Sequence, residues 1–232
     1  MPTIHDPEFG DIVVRRSKRA RSVKLKVTPD GALRASLPMY APLLLVKRLI
    51  QQSREELQSL IAAQQSEAPH YVTGMPLGKS HRLVVLTTIE NTSHVVRQDT
   101  SIVVYLAASD TLDTPHVRKL IQTEHQKLLR IEAKAYLPRQ LAYLAEKYGF
   151  TYERVRFSHA GGRWGSCSSS GTISLNIALM KLDTTLIDYV LIHELCHTRQ
   201  MNHSSAFWSL VEAYDPNFKQ HRAALKQEHP YV

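Results

Sequence analysis

The sequence predicts an α+β fold with a β-rich N-terminal part, residues 1–110, and a more helical C-terminal part, residues 111–232. Two observations support this division. Apolar and polar residues alternate in several short stretches of the first part, which is the period of a strand with one buried face. After Pro115, apolar residues recur at helical spacing instead. With 232 residues, 43% of them hydrophobic, the chain is long enough to bury one large core or two smaller ones.

The first elements are predicted to be a hairpin and a helix. Alternation over Asp11–Val27 and over Leu33–Leu37 indicates strands, and Pro29-Asp30-Gly31 between them has the composition of a tight turn. Pro42 precedes apolar residues at helical spacing from Leu45 to Ile61. The remaining elements predicted for this part are a loop at Gln64–His70 and strands at Arg82–Thr87 and Ser101–Leu106.

The C-terminal part is predicted to begin with a long helix. Asp113-Thr114-Pro115 has the composition of a helix start, and helical spacing continues to a stop at Gly149. Pro138 is expected to kink or split this helix. The elements predicted after it are strands at Tyr152–Phe157 and Ile173–Ile177, a helix after Asp183 and a last helix from Ser204.

Composition restricts the class of protein. The longest apolar run, Ala41–Val46, is too short to span a bilayer, and the N-terminus lacks the apolar stretch of a secretory signal. We therefore expect a cytoplasmic protein with no membrane partner. Cys167 and Cys196 are too few for a disulfide framework or a four-cysteine zinc site. The net charge of +8 favours an anionic partner only weakly.

The segment Leu186–His203, LIDYVLIHELCHTRQMNH, predicts a metal site. His193 and His197 are one helical turn apart on the same face, from which both imidazoles can bind one metal ion. Glu194 lies slightly round the helix, where it can act as a general base without taking a coordination position. His203 is too far along for the same straight helix. It can supply the third ligand if the helix ends near residues 200–202 and the chain turns back.

The alternative is that these are incidental polar residues of an ordinary helix. The helix is apolar on nearly every side, so it is expected to be buried. Burying two histidines and a glutamate without partners would cost about 1–3 kcal/mol each, and a metal ion removes that cost. Structural zinc sites are usually closed and rich in thiolates. Three histidines leave one position open beside a carboxylate, which favours a catalytic ion.

Four motifs occur together in this order: RWGSC at 163–167, ISLN at 173–176, YVLIHELCH at 189–197 and NHSSAFW at 202–208. With RRSKRARSVKLKV and LGKSHRLVV in the N-terminal half, the chain resembles the YgjP-like metallohydrolase family, related to SprT-like and zincin-type peptidases. The resemblance implies a zincin-like fold, with the metal-binding helix packed beside a small mixed sheet. It also implies that His193, His197 and His203 bind zinc and that Glu194 is the catalytic base. By the same resemblance, an edge strand near Ile173–Ile177 borders the cleft and pairs with the substrate backbone.

The RWGSC motif allows a structural and a functional interpretation. In the structural one, Trp164 packs in the core, Gly165 permits close approach of the metal helix and Cys167 has no chemical role. In the functional one, Arg163 faces the open metal position and stabilises developing negative charge. We favour the structural role for the first three residues, and both roles stay open for Arg163.

Other residues near the motif are assigned packing roles. Phe207 and Trp208 are predicted to hold the last helix against the metal site, and Cys196 to be a small packed residue. Three histidines lack the spacing of ligands and are interpreted as ordinary: His159, His221 and His229.

The function predicted from these observations is zinc-dependent hydrolysis of a peptide or protein by a metallopeptidase, with Zn²⁺ as the cofactor. One alternative is a nucleotide phosphoanhydride hydrolase, or pyrophosphatase, on the same site, because the chain is basic. A second alternative is a DNA-associated binding module or protease, because Arg15–Arg21 is strongly basic. The basic run has no interleaved aromatic residues, so the favoured interpretation of it is a solvated strand.

Overall fold

The computed structural model describes residues 2–28, 32–66, 70–159 and 162–230, with the side chains of 62–66 left out. The predicted α+β class is confirmed. The chain divides into two compact units, Met1–Pro69 and His70–Val232, and the boundary predicted at residue 110 lies inside the second unit. The predicted turn at residues 29–31 lies outside the described residues.

The first unit packs one face of a four-stranded sheet on two helices. Its core contains Ile12, Val14, Leu33 and Leu37 from the strands and Val46 and Ile50 from the first helix. The strand order is β1-β2-β4-β3, where β2 and β4 are parallel and β3 and β4 form the predicted antiparallel hairpin. The bounds are β1 Thr3–Asp6, β2 Gly10–Ser17, β3 Lys24–Val27, β4 Leu33–Pro38, α1 Leu44–Gln52 and α2 Arg54–Ser66.

The loop predicted at Gln64–His70 is wrong for its first three residues. Helix α2 continues through Ser66, because glutamine is a good helix former and no glycine or proline occurs in the sequence between Arg54 and Ser66. The helical run predicted from Leu45 to Ile61 is divided at Ser53 into α1 and α2.

The second unit begins with a four-stranded sheet packed on a long helix. The order is β5-β6-β8-β7, with β6 and β8 parallel, and the strands predicted at 82–87 and 101–106 are confirmed as β6 and β8. Strand β7 was not predicted. The bounds are β5 Pro76–Leu77, β6 His81–Thr87, β7 His94–Gln98, β8 Ser101–Leu106 and α3 Pro115–Tyr148.

Helix α3 is one continuous element, so the predicted split at Pro138 is wrong. Proline removes one backbone hydrogen bond, but Leu137 and Leu141 on either side of it are fully buried, and their packing stabilises the helix through this point. The predicted stop is confirmed, because Gly149 has a left-handed conformation with φ 69°.

The remaining elements form a three-stranded sheet followed by three helices. The sheet order is β10-β11-β9, so β11 is the central strand and the expectation that it is an edge strand is wrong. It pairs with β10 in antiparallel and with β9 in parallel orientation, and β10 becomes an edge. The bounds are β9 Arg154–Ser158, β10 Gly165–Cys167, β11 Thr172–Asn176, a 3-10 helix Ile177–Lys181, α4 Thr184–His197, α5 Ser205–Tyr214 and α6 Phe218–Leu225.

None of the helices in the described part of the chain is both long and apolar enough to cross a membrane. The cytoplasmic location stays a prediction.

Candidate metal centre

Helix α4 is buried, as its apolar composition predicts. Ile187, Val190, Leu191 and Leu195 all belong to the core of the second unit, together with residues of α3, β11 and α5. The side chains of the HELCH motif therefore lie in a largely water-excluded environment, where unpaired polar atoms are costly.

Three histidine side chains converge at the end of α4. The helix ends at His197, and the next residues turn back so that His203 reaches the other two. The candidate ligand atoms of His193, His197 and His203 all lie within 4.8 Å of one another, and the Nε2 atoms of His193 and His203 are 3.2 Å apart. Two nitrogens bound to one zinc ion at tetrahedral angles are about 3.3 Å apart, so this donor set fits zinc.

The imidazoles of His193 and His197 are held in the form that binds metal. Burial, together with neighbouring His197, His203 and Arg222, lowers the pKa of His193 to about 3, so this ring is neutral at pH 7. Burial also lowers the pKa of His197. The Nδ1 of His197 lies 2.9 Å from the carbonyl oxygen of Gln200, to which it donates, and this leaves Nε2 with a free lone pair.

Glu194 is a buried carboxyl group beside the histidine cluster. Only 4% of it is exposed, and its Oε2 has no hydrogen-bond partner among the described residues. Burial raises its pKa to about 8, while the positive charge of Arg163 acts in the opposite direction. A divalent cation bound by the histidines would favour the ionised carboxylate. The unpaired oxygen is thus a second observation that fits a metal centre.

Strand β10 lies directly against Glu194. A Cβ atom built on Gly165 would be 2.6 Å from Oε1 and 2.8 Å from Cγ of Glu194, so the close approach requires glycine, as predicted. Trp164 packs against the core. Burial and the negative charge of Glu194 raise the pKa of the Cys167 thiol to about 11. The group of candidate ligands found among the described residues consists of the three histidines and does not include this thiol.

Arg163 lies at the start of this strand with an exposed side chain, and its charge acts on Glu194. Its backbone carbonyl accepts a hydrogen bond from Nδ2 of Asn176 at 3.0 Å. The same Nδ2 donates to the carbonyl of Pro230 at 2.8 Å, and Oδ1 of Asn176 accepts from the backbone N–H of Ala178. Asn176 was not predicted as a residue of the site. The feature of the sequence that could have indicated it is a polar residue at the end of the apolar strand ISLN.

Two aromatic residues of α5 pack against the histidines, as predicted. Phe207 is fully buried, and its ring is 4.4 Å from that of His197 and 4.9 Å from the rings of His193 and His203. Trp208 stacks on His203 at 5.6 Å. Neither ring offers a ligand atom, and both restrict the positions of the imidazoles.

The other singled-out residues lie outside the cluster. Burial raises the pKa of the Cys196 thiol to about 12. Nδ1 of His221 is 2.8 Å from Asp215, and Nδ1 of His159 is 3.4 Å from Arg130. The backbone carbonyl of His229 accepts from Lys181.

Comparison with known proteins gives a family match over most of the chain. The family model described as YgjP-like, metallopeptidase domain, matches residues 21–228. No curated protein shows significant similarity. Solved structures that are similar to part of the chain include two metallopeptidase zymogens. The metallopeptidase zymogen abylysin of Pyrococcus abyssi is 28% identical, with 39% of this chain and 92% of that chain covered and a TM-score of 0.36. The metallopeptidase zymogen jannalysin of Methanocaldococcus jannaschii is 18% identical, with 39% and 93% covered and a TM-score of 0.35.

Proposed function

We propose that this chain, which belongs to the YgjP-like metallopeptidase family, hydrolyses peptide bonds with a zinc ion bound by His193, His197 and His203. Glu194 is the general base in this proposal. The observation that carries it is the convergence of three imidazole ligand atoms beside a buried carboxylate with an unpaired oxygen. Imidazole ligands favour zinc over magnesium or calcium, which prefer oxygen ligands.

When bound, the zinc ion would act as a Lewis acid, which polarises a carbonyl oxygen and lowers the pKa of water in contact with it to about 7. The protein holds the three ligands in place. The hydrogen bond from His197 to the carbonyl of Gln200 fixes the tautomer and orientation of that ring, and Phe207 packs against all three rings.

Glu194 moves the proton in this mechanism. Its Oε2, which has no other partner among the described residues, takes a proton from the attacking water and returns it to the nitrogen of the leaving amine. The exposed guanidinium of Arg163 stabilises the negative charge that develops on the carbonyl oxygen. The positive charge of Arg163 lowers the pKa of Glu194, so the guanidinium acts on a group of the proposed site, which supports this role.

The substrate binds as an extended strand along the free edge of β10. The N–H of Asn176 donates to the carbonyl of Trp164, and the N–H of Ser168 donates to that of Thr172. Because hydrogen-bonded pairs alternate in an antiparallel ladder, the backbone groups of Gly165 and Cys167 point away from β11. A peptide paired with these groups passes beside Glu194, since Gly165 is in contact with that side chain.

The experiment compares the protein with Glu194→Gln and with the matched control Glu212→Gln, which removes an exposed carboxylate on α5. Each protein is analysed for bound metal and incubated with an unfolded protein substrate and, separately, with nucleoside triphosphates. We expect stoichiometric zinc in all three. Peptide cleavage should fall by roughly 10²–10⁴-fold in Glu194→Gln only, the usual contribution of a general base.

Other outcomes would contradict specific parts of the proposal. Full cleavage by Glu194→Gln would exclude Glu194 as the base, and absence of bound metal would exclude the zinc site. Glu194-dependent release of phosphate or pyrophosphate from the triphosphates, without peptide cleavage, would assign the alternative function of nucleotide phosphoanhydride hydrolysis.

A further inference from the structure

Among the described residues, one face of the sheet of the first unit carries mainly exposed side chains. The inward side chains Ile12, Val14, Ala35 and Leu37 form the core, so the side chains that alternate with them point outward. Arg15 lies opposite Ser36 in the register of β2 and β4, and Lys24 lies opposite Ser36 on its other side. A row of polar and basic residues therefore crosses three strands of this outer face.

The basic charge is concentrated and uncompensated. Residues 15–26 include seven lysines and arginines and no aspartate or glutamate. Arg15, Arg19, Arg21 and Lys24 line a groove of about 540 Å³ together with the hydroxyl groups of three serines. Within the described ranges, none of these four cations forms an ion pair, and the groove lining contains no acidic residue.

An exposed aromatic ring lies at the same end of the sheet. Ser17, which lines the groove, pairs with Pro38 at the end of β4, and the turn that follows carries Tyr40. The ring of Tyr40 is 97% exposed. A guanidinium nitrogen of Arg16 donates to the carbonyls of Met39 and Ala41, which holds this turn in place.

From these features we propose that the groove binds the phosphate backbone of single-stranded nucleic acid, with Tyr40 as a surface on which a base stacks. Arginine forks and serine hydroxyls are the usual donors to phosphate oxygens, and a basic groove beside an exposed aromatic ring is the combination that binds single strands. Among the groove residues the only apolar one is Ala20, so the groove lacks the side chains that insert into a lipid surface.

The expected salt dependence follows from the number of cations. Four phosphate contacts on a single strand give a slope of about −0.7 × 4 = −2.8 for the logarithm of the association constant against that of salt concentration. Between 50 and 200 mM salt, the dissociation constant should therefore increase by about 50-fold. Removal of two cations should reduce the slope to about −1.4 and the change to about sevenfold.

The test measures binding of the full chain to a fluorescent 12-nucleotide oligothymidylate across this salt range. The variant Arg19→Gln/Arg21→Gln removes two exposed cations of the groove. The control Lys47→Gln/Arg48→Gln removes the same charge from exposed positions of α1 in the same unit. We expect the first variant to halve the slope and weaken binding, and the control to retain the slope of the unchanged protein.

A third variant and three competitors test the kind of ligand. Tyr40→Ala should weaken oligothymidylate binding by about fivefold or more, the effect of losing one base stack, and leave binding of inorganic polyphosphate unchanged. Absence of oligothymidylate binding at 50 mM salt, or equal slopes for the groove variant and the control, would overturn the proposal. Preferential binding of phosphatidylserine vesicles or of polyglutamate would overturn it too, in favour of a membrane or an acidic protein partner.

Discussion

Replacing Gly165 by alanine tests whether Glu194 must sit where the structure places it. The added Cβ would lie 2.6 Å from Oε1, 2.8 Å from Cγ and 2.9 Å from Cδ of Glu194. Ordinary contact begins at 3.4 Å, so the carboxylate has to move by up to 3.4 − 2.6 = 0.8 Å, or β10 has to move away from α4. Because Glu194 is buried, its carboxylate has no open space in solvent to move into.

The expected consequence is a catalytic defect that is larger than the loss of stability. A displacement of about 1 Å at a reacting group can reduce the rate by about 10²-fold, whereas one extra methyl group in a packed interior costs about 1–3 kcal/mol. The three atoms nearest to the new methyl group all belong to Glu194 and none to a histidine, so we expect zinc to stay stoichiometric. We therefore expect kcat for peptide cleavage to fall by about 10²-fold in a folded, zinc-loaded protein.

The matched control is Gly162→Ala, at a position where an added Cβ meets nothing within 4 Å. Both variants are compared by kcat on a quenched fluorescent peptide, by zinc content and by thermal unfolding. Gly162→Ala should behave like the unchanged protein in all three measurements. A Gly165→Ala protein that retains zinc and full kcat would refute the reasoning, because Glu194 would then tolerate the displacement or would have no role in the reaction.

Two further predictions concern a buried histidine of α3 and an aromatic ring beside the candidate metal centre. His125 is only 4% exposed, with both ring nitrogens unpaired among the described residues, and burial lowers its pKa to about 4 from the ordinary 6.5. The folded state disfavours protonation of His125, so the contribution of the neutral ring to the free energy of unfolding is complete above pH 6.5 and is lost as the pH falls towards 4. Between pH 7.5 and 5, the free energy of unfolding, measured with urea, should therefore decrease by about 2 kcal/mol more than it does in His125→Leu. Equal decreases in the two proteins would contradict this prediction. Phe207→Leu should lower zinc affinity about tenfold or more in a chelator competition, because the ring that packs against all three ligands is lost. The control Phe150→Leu alters a buried ring that packs on Tyr214 instead, so it should reduce stability and leave zinc affinity unchanged.

Several parts of the structure were predictable from local patterns. Strands β6 and β8 contain the continuous apolar runs LVVL and IVVYL, and the stop of α3 at Gly149 follows from the ability of glycine to adopt a left-handed conformation. In these cases neighbouring residues carry the signal, so one segment is enough to interpret it. The close approach at Gly165 was also predicted, although it depends on α4, a segment distant in the sequence.

Other parts depend on contacts that no local pattern records. Asn176 is a buried polar residue whose hydrogen-bond acceptors, the carbonyls of Arg163 and Pro230, come from other segments. His125 is a buried polar residue whose ring nitrogens have no hydrogen-bond partner among the described residues. Both situations follow from the packing of segments that are distant in the sequence. Helix α3 continues through Pro138 because packing around Leu137 and Leu141 outweighs one missing hydrogen bond. Strand β10 has only three residues, GSC, and no apolar alternation.

The sequence by itself determined the arrangement of His193, Glu194 and His197, because residues one turn apart on a helix are positioned by backbone geometry alone. It allowed the return of His203 on the condition that the helix ends near residues 200–202. The helix ends earlier, at His197, and His203 reaches the other two histidines from there. Only the tertiary structure decided that β11 is the central strand and that β10 is the edge in contact with Glu194. The physical reason is that strand order is set by hydrogen bonds between segments far apart in the chain, and the apolar alternation of a strand is the same at the centre and at the edge of a sheet.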